Sequence, residues 1–402
     1  MTASAWSPFR NRDFALLWSA ALVSNIGSWM HDSASGWLMT TLDASPATVS
    51  LVQAATALPV FLLALPAGTL ADRMDKRRLQ VVVQTVMLLL AGVLGVLVVQ
   101  HAVTEPILLL VTFGMGVCTA ILSPAWQAIL PKLVPRENLL PAIALHAVGM
   151  NISRAIGPAL GGVLIAGLGM AWPFFFNAVS FIAVIAALLI WKPAADPPRK
   201  EPPVGFVTAL LQGLDQARTN PGLQNTLLRS VLFYLFGSAY WALLPLIARV
   251  QLNGTAQLFG VLVGLIGAGA VAGALFLPRL RDRFGLDGTL VAGTVGTALA
   301  MTGYALLHVP ALGMVASLLA GASWIASLST LNVAAQVAVP DWMRARGMAL
   351  YTAVFYGCLA AGSVFWGQVA SRTGLAAALL LAAAGAVAGL LLTSRLPLRP
   401  KP

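Results

Sequence analysis

The chain has 402 residues, 59% of them hydrophobic and 9% charged, with a net charge of +11. A soluble domain runs nearer half apolar and a quarter charged, and so few charges cannot cover so much apolar surface in water. A water-soluble globular fold is therefore excluded, and lipid is the solvent for much of the chain. The basic excess does not indicate nucleic-acid binding, because Lys and Arg sit at the ends of apolar segments and not in a patch.

In chain order, apolar runs fall at about 14–40, 47–70, 79–100, 106–130, 139–167 and 171–191. A second set falls at about 225–250, 256–278, 288–308, 310–336, 346–370 and 373–394. Each approaches or exceeds the roughly 20 residues that cross a bilayer. The first run is too long for a signal h-region and lacks a small-residue cleavage pattern, so it reads as a retained helix. Between the sets, KPAADPPRKEPP from Lys192 is a Pro-rich charged linker. After it, Phe206, Leu210, Leu211 and Leu214 recur at helical spacing, as in a helix lying on the membrane surface or a soluble connector. The expected fold is an all-α membrane protein of twelve transmembrane helices. It has a six-helix half over 1–191, a cytoplasmic linker over 192–222 and a second six-helix half over 223–402. Cys118 and Cys358 lie inside apolar runs and fit neither a disulfide nor a metal site. No GxxxxGK[ST] loop occurs, so neither a metal nor a nucleotide cofactor is expected.

Twelve spans place 21 of the 24 Lys and Arg residues on one side, which sets both termini in the cytoplasm of a bacterial-type inner membrane. The two sets read as copies. Asp72-Arg73 matches Asp282-Arg283 at an offset of 210, and Gly157 with Gly162 matches Gly362 with Gly367 at an offset of 205.

GTLADRMDKRR from Gly68 resembles the loop 2–3 signature of the major facilitator superfamily. Asp75 replaces a glycine of that signature, at a position expected to be a tight, left-handed turn. Gly157-Pro158-Ala159-Leu160-Gly161-Gly162 is similar to the core of an exporter motif of that superfamily, with Ser153 where an earlier glycine is usual. SNIGSWMHDSASGWLM, LPKLVPRENLLPAIAL, NISRAIGPALGG and STLNVAAQVAVPDWMRARGMALY resemble the transmembrane secretion effector branch. The resemblance covers nearly the whole chain and implies export of siderophores, drugs or metabolites. It also implies a cytoplasmic gate built from Gly68, Asp72, Arg73 and Arg77, with Asp72 near the start of the eleventh helix beside Arg344 or Arg346. The repeat mirrors that contact as Asp282, beside Arg283, near Arg136.

Asp32 is the one acidic residue within a membrane run. It lies about 27 Å along the first helix from Phe14, where a carboxylate costs roughly 2.5–3.5 kcal/mol to insert. Asn25, Ser28, Asp32 and Ser35 form one polar stripe. That stripe is expected to face the bundle interior, where Asp32 can bind and release a proton. His31 adjoins it and is a candidate proton relay or a satisfied interfacial histidine. Arg154, with Asn151 on its face, lies mid-membrane in the fifth helix and needs an anion. It either pairs with Asp32 in a switchable or static bridge, or binds an anionic substrate directly. The Trp residues, Trp29 among them, mostly suit interfacial belts, and one or two of them are expected to line a hydrophobic cavity.

Together these features predict a monomeric, proton-coupled exporter of a small organic molecule, not an enzyme. An uptake or facilitated-diffusion carrier of the same fold, taking a lipid-like substrate, and a non-transporting membrane sensor are the alternatives.

Overall fold

A computed structural model describes residues 6–192, 218–340 and 344–398, without the side chains of 64, 65, 68–73, 345 and 346. The expected surface helix within the linker lies outside the described residues. Those residues form α1 (Arg12–Leu42), α2 (Pro46–Arg73), α3 (Lys76–Val99), α4 (Glu105–Ile129), α5 (Leu139–Leu168) and α6 (Trp172–Ile190). They continue with α7 (Pro221–Leu246), α8 (Ala256–Leu306), α9 (Pro310–Ala338), α10 (Arg344–Thr373) and α11 (Leu375–Leu392).

Local chemistry sets the helix starts. Asn11 accepts hydrogen bonds from the amides of Asp13 (2.9 Å) and Phe14 (3.4 Å), and Asn220 accepts one from Leu223 (3.0 Å). Asp75 corrects one expectation. Its backbone is extended (φ −60°, ψ 118°), and its carboxylate accepts from the Arg78 amide at 2.7 Å. It serves as the N-cap of α3, a task for which a side-chain oxygen is suited, and it does not sit in a left-handed turn.

Elements α2 to α11 each carry a segment long and apolar enough to cross a membrane, ten in all among the described residues. α1 is equally long, but Asn25, Ser28, His31, Asp32, Ser33 and Ser35 dilute its apolar character. α8 has 51 residues, about 77 Å at 1.5 Å per residue and over twice the hydrocarbon core. It breaks at Gly285 (φ 65°, ψ −170°), a conformation a β-carbon disfavours. The expected loop after 278 is instead helical as far as this break, because Arg and Leu in Arg279–Phe284 favour helix and the charges lie near the helix end.

α1 packs on α5 and α6, α2 on α4, and α3 on α4 and α6. After the linker, α7 packs on α10 and α11, and α8 on α9 and α11. The two groups meet along two seams, α2 with α10 and α5 with α8. The α5–α8 seam brings backbones together. A β-carbon at Gly264 would lie 2.8 Å from the Ala155 carbonyl oxygen, and one at Gly162 would lie 2.7 Å from that of Ala256. At Gly260 it would strike the Pro158 carbonyl. Only glycine permits such an approach.

Candidate functional site

The packed seams occupy one end of the bundle. Call the face bearing Arg12, Arg73, Leu139, Ile190, Pro221 and Leu392 the near face, and the opposite one the far face. On the far side, Arg249 donates to the Thr40 carbonyl and hydroxyl, and Trp37 stacks on Phe259 with centroids 6.0 Å apart. The Ala47 amide donates to Ser371 Oγ at 2.9 Å, joining the starts of α2 and the end of α10.

Toward the near face the same surfaces part. Ala147, Asn151, Arg154 and Pro158 follow one stripe of α5. Pro158 is buried beneath Gly260, whereas Ala147 and Ala144 are exposed. On α8 the stripe through Gly260, Gly264 and Gly267 is buried, and its continuation through Val271, Ala274 and Pro278 is exposed. Two helices that touch at one end and show bare facing stripes at the other enclose a cleft open to the near face.

Asp32 and Arg154 stand where the cleft narrows. Gly36 of α1 faces the second group, since a β-carbon there would lie 3.3 Å from Pro245. Asp32 lies one turn nearer the opening on the same side and is exposed. The Arg154 guanidinium lies over the Trp29 ring, 5.0 Å from its centroid. Its Nε is buried without a hydrogen-bond partner. No ion pair joins Arg154 to Asp32, and the one ion pair among the described residues is Arg229–Asp287. Tyr240 of α7 and Tyr356 of α10 lie within electrostatic range of Arg154 from across the seam. Trp29 thus packs against Arg154 inside the bundle. It supplies the ring face that attracts a cation, which no count of carboxylates reveals.

The remaining candidates divide. Asn151 shares the face of Arg154 and bonds the Ala147 carbonyl at 2.8 Å. Asn25 is partly exposed on the stripe of Asp32. His31 turns away from the cleft: it is 1% exposed and packs edge-on against Phe174 of α6 at 4.9 Å. Gly157 and Gly161 seat α1, with a β-carbon at Gly157 falling 2.8 Å from the Ile26 carbonyl oxygen, while Pro158 and Gly162 seat α8. Ser153 keeps the same closeness and donates to the Leu22 carbonyl at 3.3 Å.

Of the gate residues, the side chains of Asp72, Arg73 and Arg346, together with Gly68, lie outside the described residues. Arg77 donates to the Leu188 and Leu189 carbonyls at 2.6 and 2.7 Å, holding the end of α6. Asp282 and Arg136 are both exposed, with no ion pair between them, and Arg344 is exposed. Arg283 lies over the Phe284 ring at 5.3 Å. Outside the membrane segments, Asp43 accepts from the Ser45 amide (2.8 Å) and hydroxyl (3.0 Å). Bonds from Thr48 and Ser45 hold its carboxyl below the usual range.

Comparison with known proteins agrees with this architecture. The chain superposes on a variant of the nucleoside transporter NupG with a TM-score of 0.79, at 13% identity, over 96% of this chain and 99% of that one. It matches a bacterial homologue of the human lysosomal transporter Spinster, in an inward-facing and unoccupied conformation, with a TM-score of 0.72 at 16% identity, covering 98% and 99%. In sequence it is 30% identical to the enterobactin exporter EntS of Salmonella choleraesuis over 71% of this chain and 68% of that one. It is 26% identical to the staphyloferrin A transporter of Staphylococcus aureus over 67% of each. A family model described as transmembrane secretion effector matches residues 3–401. The chain is therefore an integral membrane protein that belongs to the transmembrane secretion effector family, a branch of the major facilitator superfamily whose members are transporters and not enzymes.

Proposed function

We propose that this protein is a proton-coupled secondary transporter that exports a small anionic organic molecule, of siderophore, drug or metabolite type, by alternating access. It works as a monomer in a bacterial inner membrane. Twelve crossings in two six-helix halves carry the cycle, counting α1, the two arms of α8 and the other nine elements. Both termini lie in the cytoplasm, so the near-face cleft opens inward.

The observation that carries this reading is an arginine at the neck of the cleft with an aromatic partner and, among the described residues, no carboxylate partner. A guanidinium at this depth is stabilised by an anion, and a substrate carboxylate, catecholate or phosphate entering from the near face supplies one. Arg154 offers paired donors for such a group. Asp32, exposed one turn from Gly36 on α1, is the group that takes up a proton when the cleft opens outward and loses it when it opens inward. A neutral Asp32 and a substrate-neutralised Arg154 each remove a charge from the neck, which favours its closure. Asp72 and Asp282 act as the near-face latches, and the exposure of Asp282 and Arg136 fits their released state.

Inside-out vesicles with an imposed pH gradient test this. Addition of a panel of siderophores, lipophilic drugs and metabolites is expected to collapse the gradient for one compound class in wild type and for none in Asp32→Asn. Equal collapse in the variant overturns the role of Asp32. Transport that ignores the gradient overturns proton coupling.

A further inference from the structure

The first arm of α8 carries a second surface, turned away from the seam with α5. Half a turn around from the Gly260–Gly267 stripe, Gly273 and Phe276 form a groove of about 690 Å³ with Ala292 of the second arm and Leu318 and Ala322 of α9. Small residues leave the hollow: a β-carbon at Gly273 would lie 2.8 Å from Ala322 Cα, so the helices touch at its floor. Phe276 and Phe284 are 63% and 54% exposed along its rim. An apolar hollow of this kind holds no ordered water, and in a bilayer its natural filling is hydrocarbon.

The groove ends on two arginines. Arg279 and Arg283 line its near-face end, one helical turn apart on the same side. Both are exposed, and among the described residues no carboxylate pairs with either. Their depth is set by the helix. Arg279 lies 23 residues beyond Ala256, about 35 Å, and Arg283 about 41 Å. The hydrocarbon core is about 30 Å thick, so both guanidinium groups stand at headgroup level. Basic pockets between transmembrane helices at that level attract anionic headgroups.

We propose that this groove binds one anionic phospholipid, with an acyl chain along Phe276 and Ala322 and its phosphate between Arg279 and Arg283. The site is independent of the transport reading. It touches α8 on the face opposite the seam with α5, so an occupied groove braces the arm from behind.

Native mass spectrometry of the full chain in detergent, titrated with phosphatidylglycerol or with phosphatidylcholine of the same chains, tests it. One retained phosphatidylglycerol is expected, with phosphatidylcholine held much more weakly. Arg279→Gln with Arg283→Gln is expected to weaken retention about thirtyfold, at about 1 kcal/mol per charge. Arg279→Lys with Arg283→Lys keeps it within about threefold, since a point charge still binds phosphate. Ala272→Trp, which fills the hollow from its exposed wall, abolishes it with both arginines in place. Equal retention of the two lipids, or unchanged binding in the Gln pair or in Ala272→Trp, overturns the proposal. If the Gln pair does not yield a monodisperse protein, the Lys pair and Ala272→Trp decide.

Discussion

The far and near ends of the bundle are built from the same helices and behave oppositely. At the far end, α5 and α8 meet backbone to backbone through Gly162, Gly260 and Gly264. At the near end the continuing stripes, Ala144 and Ala147 on one helix and Val271 and Ala274 on the other, carry β-carbons and are exposed. The end that is shut is the one where glycine lets the two backbones meet. Asp32 and Arg154, to which the proposed cycle assigns the proton and the substrate, sit at the boundary between the two regimes.

The largest expected effect breaks the comparison at that boundary. Asp32→Asn should reduce pH-gradient-driven transport to background while the protein still inserts, measured by dye-reported gradient collapse in vesicles. Arg154→Gln comes next. Loss of a charge-assisted contact, worth about 1.5–3 kcal/mol, should weaken substrate binding by roughly 10- to 100-fold, read by equilibrium binding in detergent. An unchanged affinity would leave Arg154 a structural partner of Trp29. Gly260→Leu attacks the seam. Overpacking costs about 1–3 kcal/mol and should shift the population toward a parted far face, seen as longer distances between spin labels at Asp43 and Asn253. Arg249→Ala removes the bond to Thr40 and should shift the same distances by the equivalent of about 1 kcal/mol.

The smallest effect lies outside the membrane, in the turn that starts α2. Ser45 caps the Thr48 amide at 3.2 Å, and Ser45→Ala should cost about 1 kcal/mol, visible as a slightly lower Tm. Asp43 supports this cap, and its carboxyl is held below the ordinary range. A group with a depressed folded-state pKa contributes stability above its unfolded value, and that contribution is lost as pH falls through the folded one. The Tm difference between wild type and Asp43→Asn should therefore shrink in acid. A difference that grows in acid would remove Asp43 from the cap.

Much of this was legible in the sequence, and the omissions share a cause. Apolar runs marked the spanning segments because lipid allows few alternatives. Arg154 announced itself because an isolated guanidinium in hydrocarbon demands a partner. The partner did not, because a tryptophan at 29 satisfies interfacial placement and cation binding alike, and only packing distinguishes them. His31 adjoins Asp32 in sequence, but helical geometry turns it about 100° away, into α6. The helical stretch after Pro278 was hidden because arginines signal water, not loop. Asp75 looked like a turn residue, and its role as a cap depends on where α3 begins, a matter of one residue. The C-terminal end was equally unreadable: Asp287 bonds Arg229 and also accepts from the Leu398 amide at 3.3 Å, tying the chain end to α7, a link between residues 111 apart.

The glycine seam has a mechanical consequence. Helices joined by meshed side chains resemble gears, and each tilt must lift knobs from holes and reset rotamers. Gly260 on the Pro158 carbonyl and Gly264 on that of Ala155 present smooth surfaces instead. One helix can roll on the other without any rotamer crossing a barrier. The energy that separates the two orientations of such a bearing then resides at its rims, in bonds such as Arg249 to Thr40, and not along its length.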